Sequence, residues 1–197
     1  MKTETKKASV ATMLVVKLQH SYFVGEICSE LCRSLGWDDD KITIATLMGF
    51  VHDIGSVDEI ARMGKWEHEI DHGLRGYQLL MGSSLRTVWD GYQDVALGAV
   101  LDHSKVELRR PNDEFLRVLR DADKLAILCL VNELIDEDKL GSFCKSFFRD
   151  GTTPVTLCDK ILGWVNDINY DWTRERIRDL DIVTNLKEVI ENEQESE

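Results

Sequence analysis

The sequence has few residues that break helices: two prolines, Pro111 and Pro154, in 197 residues. Long stretches without a breaker predict helices, and no period-two alternation of any length predicts a strand. The 13 glycines are scattered, with neither GxGxxG nor GxxxxGKS/T among them, which excludes the common phosphate-cradling loops. GxSxG is missing too, and with it the commonest hydrolase elbow. No apolar run approaches the ~18 residues of a membrane span. The start, MKTETKKASV, carries lysines but no apolar leader core and cleavage site behind it. Positive charge is in deficit: 24 Lys and Arg stand against 36 Asp and Glu, a formal net charge of −12. That argues against a general nucleic-acid or anionic-membrane surface. Small phosphorylated substrates stay open, because a local metal site overrides the global field. The 5 cysteines, Cys28, Cys32, Cys129, Cys144 and Cys158, include no CxxC pair. They read as buried free thiols in a reducing compartment, so the expected location is cytoplasmic. Cys28 and Cys32 share a helix face, but a soft-metal pair there lacks two further ligands.

What is present is a globular balance, 43% hydrophobic and 30% charged residues, at a length suited to one domain. Met13, Val16, His20, Phe23, Val24, Ile27 and Leu31 recur at helical spacing and predict a first helix from about Ser9 to Leu35. A cap-rich turn, Trp37-Asp38-Asp39-Asp40, starts a second helix that reaches His52-Asp53 and ends at Gly55-Ser56. Further helices are expected from Glu67 to Met81 and from Arg86 to Asp102, the latter with Val88, Val95, Ala99 and Val100 inward. Another opens at Pro111-Asn112 and carries Phe115, Leu119, Ala122 and Leu125. Shorter ones are expected at Lys139–Phe148 and Val155–Val165, and a last one runs from Trp172 into a frayed acidic tail. The prediction is an all-α bundle of about eight helices. Residues 1–8 form a flexible start, 9–135 the main domain, and 136–197 complete that domain, cover its site or form a dimer face.

Chemistry-bearing residues sit in apolar surroundings. His20 lies on the stripe of the first helix, His52 closes the second beside Asp53, and His103 follows Ala99-Val100-Leu101-Asp102. Asp121 and Asp123 interrupt an apolar helix next to Arg120 and Lys124. A buried carboxylate is costly unless paired or bound to metal. Plainer roles exist for each: a hydrogen-bonded core histidine, a helix-end cap, an internal salt-bridge network. One shell of imidazole nitrogens and carboxylates accounts for all of them together and suits Fe, Mn, Zn, Co or Ni in a helical core. His68-Glu69-Ile70-Asp71-His72 also fits the zincin pattern HExxH. No third ligand for it is evident, and it leaves His20, His52 and Asp123 unexplained.

The series His20, His52-Asp53 and Asp123 resembles the HD domain superfamily of metal-dependent phosphohydrolases. Lys17-Leu18-Gln19-His20-Ser21 is similar to the family's first-helix histidine segment. Met48-Gly49-Phe50-Val51-His52-Asp53-Ile54-Gly55 is similar to its GLLHDIG signature, and Arg120-Asp121-Ala122-Asp123-Lys124-Leu125 to its DADRL segment. His72-Gly73-Leu74-Arg75-Gly76 and Ala99-Val100-Leu101-Asp102-His103-Ser104 resemble the HGxxG and AIRxHT stretches of members that hold a second metal.

The resemblance implies a metal set of His20, His52, Asp53, His72, His103 and Asp123, with one or two divalent transition-metal ions. Asp53 would bridge them, with His20, His52 and Asp123 on one and His72 and His103 on the other. A bridging water would attack phosphorus, which makes Asp53 and Asp123 the expected catalytic acids. Asp102 or Asp121 would orient ligating imidazoles. His68, Arg75, Lys124 and Lys65 are the candidate substrate contacts. The implied activity is hydrolysis of a phosphoester or phosphoanhydride in a nucleotide or other small phosphorylated molecule, with a homodimer as the one protein partner considered. Ser56 stands where several dinuclear members carry a phosphate-binding lysine, and the GYP signature of cyclic-di-GMP enzymes is absent. Two alternatives share the ligand set: a di-iron oxygenase such as myo-inositol oxygenase, and a non-catalytic nucleotide-binding HD module.

Overall fold

The computed structural model describes residues 8–64, 71–89, 91–105, 113–148 and 151–194. Within them every regular element is helical. The α-helices are α1 (Val10–Ser34), α2 (Asp39–Val51), α3 (Ile54–Met63), α4 (His72–Met81), α5 (Gln93–Asp102), α6 (Glu114–Asp136), α7 (Leu140–Phe147), α8 (Pro154–Trp164), α9 (Asp171–Asp179) and α10 (Ile182–Gln194). Short 3₁₀ turns occupy Ser84–Trp89 and Val165–Asp167. The fold is all-α, as the sequence predicts. No described helix is long and apolar enough to cross a membrane.

Several helix starts follow from local capping. The Asp38 carboxylate accepts from Lys41 N and the Asp71 carboxylate from Leu74 N, each at 2.9 Å. Thr153 and Thr156 cap one another's backbone at α8, with Pro154 in the first helical turn. The expected starts at Glu67 and at Pro111-Asn112 lie outside the described residues.

Two departures raise the number of α-helices above the expected one, and a third shortens an expected helix. The chain turns at His52-Asp53 but re-enters helix at once, so Gly55-Ser56 lie inside α3 instead of ending α2. Gly55 is there for approach: a Cβ on it would stand 2.1 Å from the carbonyl oxygen of His72. The expected Arg86–Asp102 helix is divided by Gly91, at φ 79°. The last helix is divided at Leu180-Asp181, where Asp181 takes a left-handed φ of 51°.

Two compact units make up the chain: Val10–Ala126, and Ile127–Glu197 with the start of the chain up to Ser9. In the first, α1 packs on α2 and α3, α4 on α3 and α5, and α5 on α2. Val24, Leu31, Met48, Ile60, Leu80, Val100, Leu116 and Leu119 are buried there. Each such side chain contributes about 1.5–3 kcal/mol of burial. In the second, α8 packs on α7 and α10, and α10 on α9, around Leu157, Ile161, Ile182 and Leu186. Ala8 N donates to Ser146 O at 3.1 Å within that unit. All five thiols are free; four are buried and Cys129 is half-buried. Burial pushes the Cys32 thiol up to about 12.

The buried stripe of α1 differs from the one hydropathy predicts. It runs Met13, Lys17, Ser21, Val24, Cys28 and Leu31, with His20 at its edge. Phe23, expected inward, is exposed, and so is Val88 in the 3₁₀ turn, where Trp89 is the buried residue. Met13, Val24, Ile27 and Leu31 are buried as expected, and the difference is that polar residues take the inward positions 17 and 21 while Phe23 faces out.

Candidate metal centre

His52 and Asp53 form the turn between α2 and α3, and the turn aims both inward. His52 caps the C-terminus of α2 and is fully buried. Its Nδ1 donates to Gly49 O at 2.8 Å, which assigns the lone pair to Nε2. That Nε2 is buried and makes no hydrogen bond. Asp53 stands at the N-cap of α3, but its carboxylate makes no capping bond. Instead Oδ1 accepts from Ser56 Oγ at 3.1 Å, and Oδ2 accepts from Lys17 Nζ.

α1 and α6 bring the next two groups. His20 Nε2 lies 3.0 Å from Asp123 Oδ1 and 3.8 Å from Asp53 Oδ2. His52 Nε2 lies 3.6 Å from both Asp53 Oδ2 and Asp123 Oδ1. The donor atoms of His20, His52 and Asp123 all fall within 4.8 Å of one another.

α4 and α5 supply the remaining imidazoles. His103 caps α5 as His52 caps α2, its Nδ1 donating to Val100 O at 2.7 Å. His72 opens α4 directly after the Asp71 cap. Gly73 lets α4 press on α5: a Cβ there would stand 2.7 Å from Leu101 O. His72 Nε2 therefore reaches His103 Nε2 at 3.1 Å and Asp53 Oδ1 at 3.7 Å. Donor atoms of His52, Asp53 and His103 form a second group within 4.8 Å.

These residues fit a metal ion on three counts. A cation with ligand bonds of about 2.1 Å holds neighbouring ligand atoms about 3.0–3.4 Å apart, close to the spacings here. His52 and His103 each present a fixed Nε2 lone pair, anchored through Nδ1. The buried Nε2 of His52 makes no hydrogen bond and lies 3.6 Å from carboxylate oxygens of both Asp53 and Asp123, a place a cation fills. The electrostatics agree. Burial pushes Asp53 up, but the Lys17 ammonium and the imidazoles of His52, His103 and His20 outweigh it and hold the carboxyl well below its usual range. Burial likewise raises Asp123, and the imidazoles of His20 and His52 bring it well below that range. His52 is pushed down by burial, yet Asp53 and Asp123 reverse the sign and raise it. His103 is lowered to about 4 by burial and by His52, so it is neutral and able to ligate at neutral pH.

The six predicted ligands are thus brought together. The other predicted residues are placed differently. Arg75 Nε donates to Asp58 at 2.8 Å and Asp58 also meets Arg62, so this arginine joins α4 to α3. Lys124 is buried on α6. His68 and Lys65 lie outside the described residues, as does most of the HExxH segment. For His52 and His103 the orienting acceptors are the carbonyls of Gly49 and Val100 instead of Asp102 or Asp121. Asp102 accepts from Lys105 Nζ at 2.8 Å, and Arg120 donates to Lys105 O. Lys17 and Ser56, both on Asp53, are the contacts sequence reading missed. The signal for Lys17 was its position one turn before His20.

The HD domain family profile matches residues 18–128, more than half of the chain and the segment that carries all six candidate ligands. No curated protein and no solved structure matches the chain. The chain belongs to the HD domain family.

Proposed function

We propose that the chain is a metal-dependent phosphohydrolase that cleaves a phosphoester or phosphoanhydride of a nucleotide or another small phosphorylated molecule. The observation that carries this reading is the His52 Nε2 lone pair, buried without a hydrogen bond between Asp53 and Asp123. His20, His52, Asp53 and Asp123 would hold one divalent ion. His72, His103 and the other oxygen of Asp53 would hold a second. A bound divalent ion supplies a water of lowered pKa and a Lewis acid for phosphoryl oxygens.

The chain's own residues prepare that chemistry. Gly49 O and Val100 O fix two imidazoles so that no reorientation is needed on binding. Ser56 Oγ fixes Asp53 through Oδ1 and so directs Oδ2 toward His20 and His52. Burial of His52, Asp53 and His103 keeps bulk water from the ligand atoms and strengthens their field. Asp123 and His72 retain 22% and 20% side-chain exposure, so substrate and solvent would reach bound ions from their side.

The test is phosphate release from a panel of nucleotides and simple phosphomonoesters. The protein is purified without chelator or nickel affinity and reconstituted separately with Mn²⁺, Fe²⁺, Co²⁺, Ni²⁺ and Zn²⁺. Turnover with at least one metal, lost in His52→Ala, is expected. No turnover with any metal, or iron-dependent O₂ consumption in its place, contradicts the reading.

A further inference from the structure

Lys17 is a buried cation that ligand geometry alone does not explain. It lies on the inner face of α1, one turn before His20, and is 8% exposed. Its ammonium donates to Asp53 Oδ2, the oxygen that faces His20 and His52 at 3.8 and 3.6 Å. Burying an ammonium carries a desolvation cost that a methionine of similar length would avoid, so packing does not account for it. Three other described cations are directed elsewhere: Arg75 to Asp58, Lys105 to Asp102, Arg120 to the carbonyl of Lys105.

A divalent ion seated among His20, His52, Asp53 and Asp123 would share that carboxylate oxygen with the ammonium. Two cations so close repel one another, most strongly where water is scarce. An anion set between them removes the repulsion. A phosphoryl group fits, because one oxygen can accept from an ammonium while another faces a metal ion. Resting on the phosphohydrolase reading above, we propose that Lys17 is a substrate-binding residue whose ammonium takes a phosphoryl oxygen beside the metal, with Asp53 as its partner when no anion is bound. No covalent step is assigned to it.

The test reads anion binding without turnover. Metal-reconstituted wild type, Lys17→Met, Lys17→Gln and Lys17→Arg are titrated with inorganic phosphate by calorimetry. Metal content and a thermal melt are recorded for each. The expected result is unchanged metal content, a loss of phosphate affinity of about tenfold or more in both neutral variants, and recovery to within a few-fold in Lys17→Arg. With an active substrate, the neutral variants should raise KM more than they lower kcat. Unchanged phosphate affinity in a folded neutral variant would overturn the proposal. So would a wild type that does not bind phosphate. Failure of both neutral variants to fold while Lys17→Arg folds would also overturn it, since the charge would then serve Asp53 alone. Phosphate binding that depends on Lys17 in a protein that cleaves no phosphoester would sink the hydrolase reading and not this one. Turnover with Lys17-independent phosphate binding would do the reverse.

Discussion

The two compact units differ in what they bury. Among the described residues, Val10–Ala126 buries Lys17, Ser21, Ser29, His52, Asp53, Ser56, Glu59, Asp102, His103, Asp121 and Lys124. The unit formed by Ile127–Glu197 buries Thr173 as its one such polar side chain, inside an apolar core of Leu140, Leu157, Ile161, Ile177, Ile182 and Leu186. A buried ionisable group costs stability unless something compensates it. The first unit accepts that cost at many positions, and five of them gather at one place: His52, Asp53 and His103 in a donor group, with Lys17 and Ser56 on Asp53. Among the described residues, the second unit shows the same kind of helical packing with no such donor group. Polar burial on the scale of the first unit is therefore not a general property of helical packing.

The largest effect should come from removing the centre's buried imidazole. His52→Ala is expected to lose bound metal and about 10³-fold or more in activity, because metal assistance is worth several kcal/mol of barrier. A steady-state assay with elemental analysis checks it. The opposite unit should respond in stability alone. Leu186→Ala, at a fully buried position, should cost about 2–5 kcal/mol by denaturant melt while leaving metal per folded chain unchanged. If it removes metal as well, the contrast between the units fails.

Acid should separate the two units next. In the metal-free protein the folded His103 titrates near 4, against an unfolded value of 6.5. Between those values the unfolded chain binds a proton that the folded chain refuses, so stability falls as pH is lowered from about 6.5 to about 4. The His103 share is about 3 kcal/mol. His52, raised in the fold, contributes with the opposite sign: its stability is present at low pH and lost as pH rises. The difference between wild-type and His103→Gln stability curves isolates the His103 limb, and a flat difference would contradict the burial argument.

Smaller effects sharpen the same contrast. Ser56→Ala should weaken metal binding by about tenfold, since Ser56 holds a ligand without being one. Thr153→Ala, at the α8 cap, should cost about 1 kcal/mol by thermal melt and leave metal affinity as it was.

The sequence made some of this legible, for reasons that can be stated. His20, His52, Asp53 and Asp123 stood out because polar groups in apolar helical runs are costly. His103 stood out for the same reason, and His72 entered through the resemblance of its glycine-bearing segment, where the structure shows α4 approaching α5 closely at Gly73. Lys17 was missed despite its place one turn before His20, because a lysine among apolar residues reads as an outward position until its carboxylate partner Asp53 is in view. α3 was missed because glycine was read as a breaker, whereas Gly55 is small so that the His72 carbonyl can approach. The division at Asp181 was missed because a left-handed aspartate leaves almost no trace in composition.

Metal content per folded chain, measured by elemental mass spectrometry on wild type and His52→Ala prepared side by side without chelator or nickel, tests the central claim most directly. The account predicts about one or two transition-metal ions in the wild type and at least one fewer in the variant, with the helical circular-dichroism spectrum retained in both. Wild-type protein that neither carries nor takes up a divalent metal, or a variant that keeps the full wild-type complement, would contradict it.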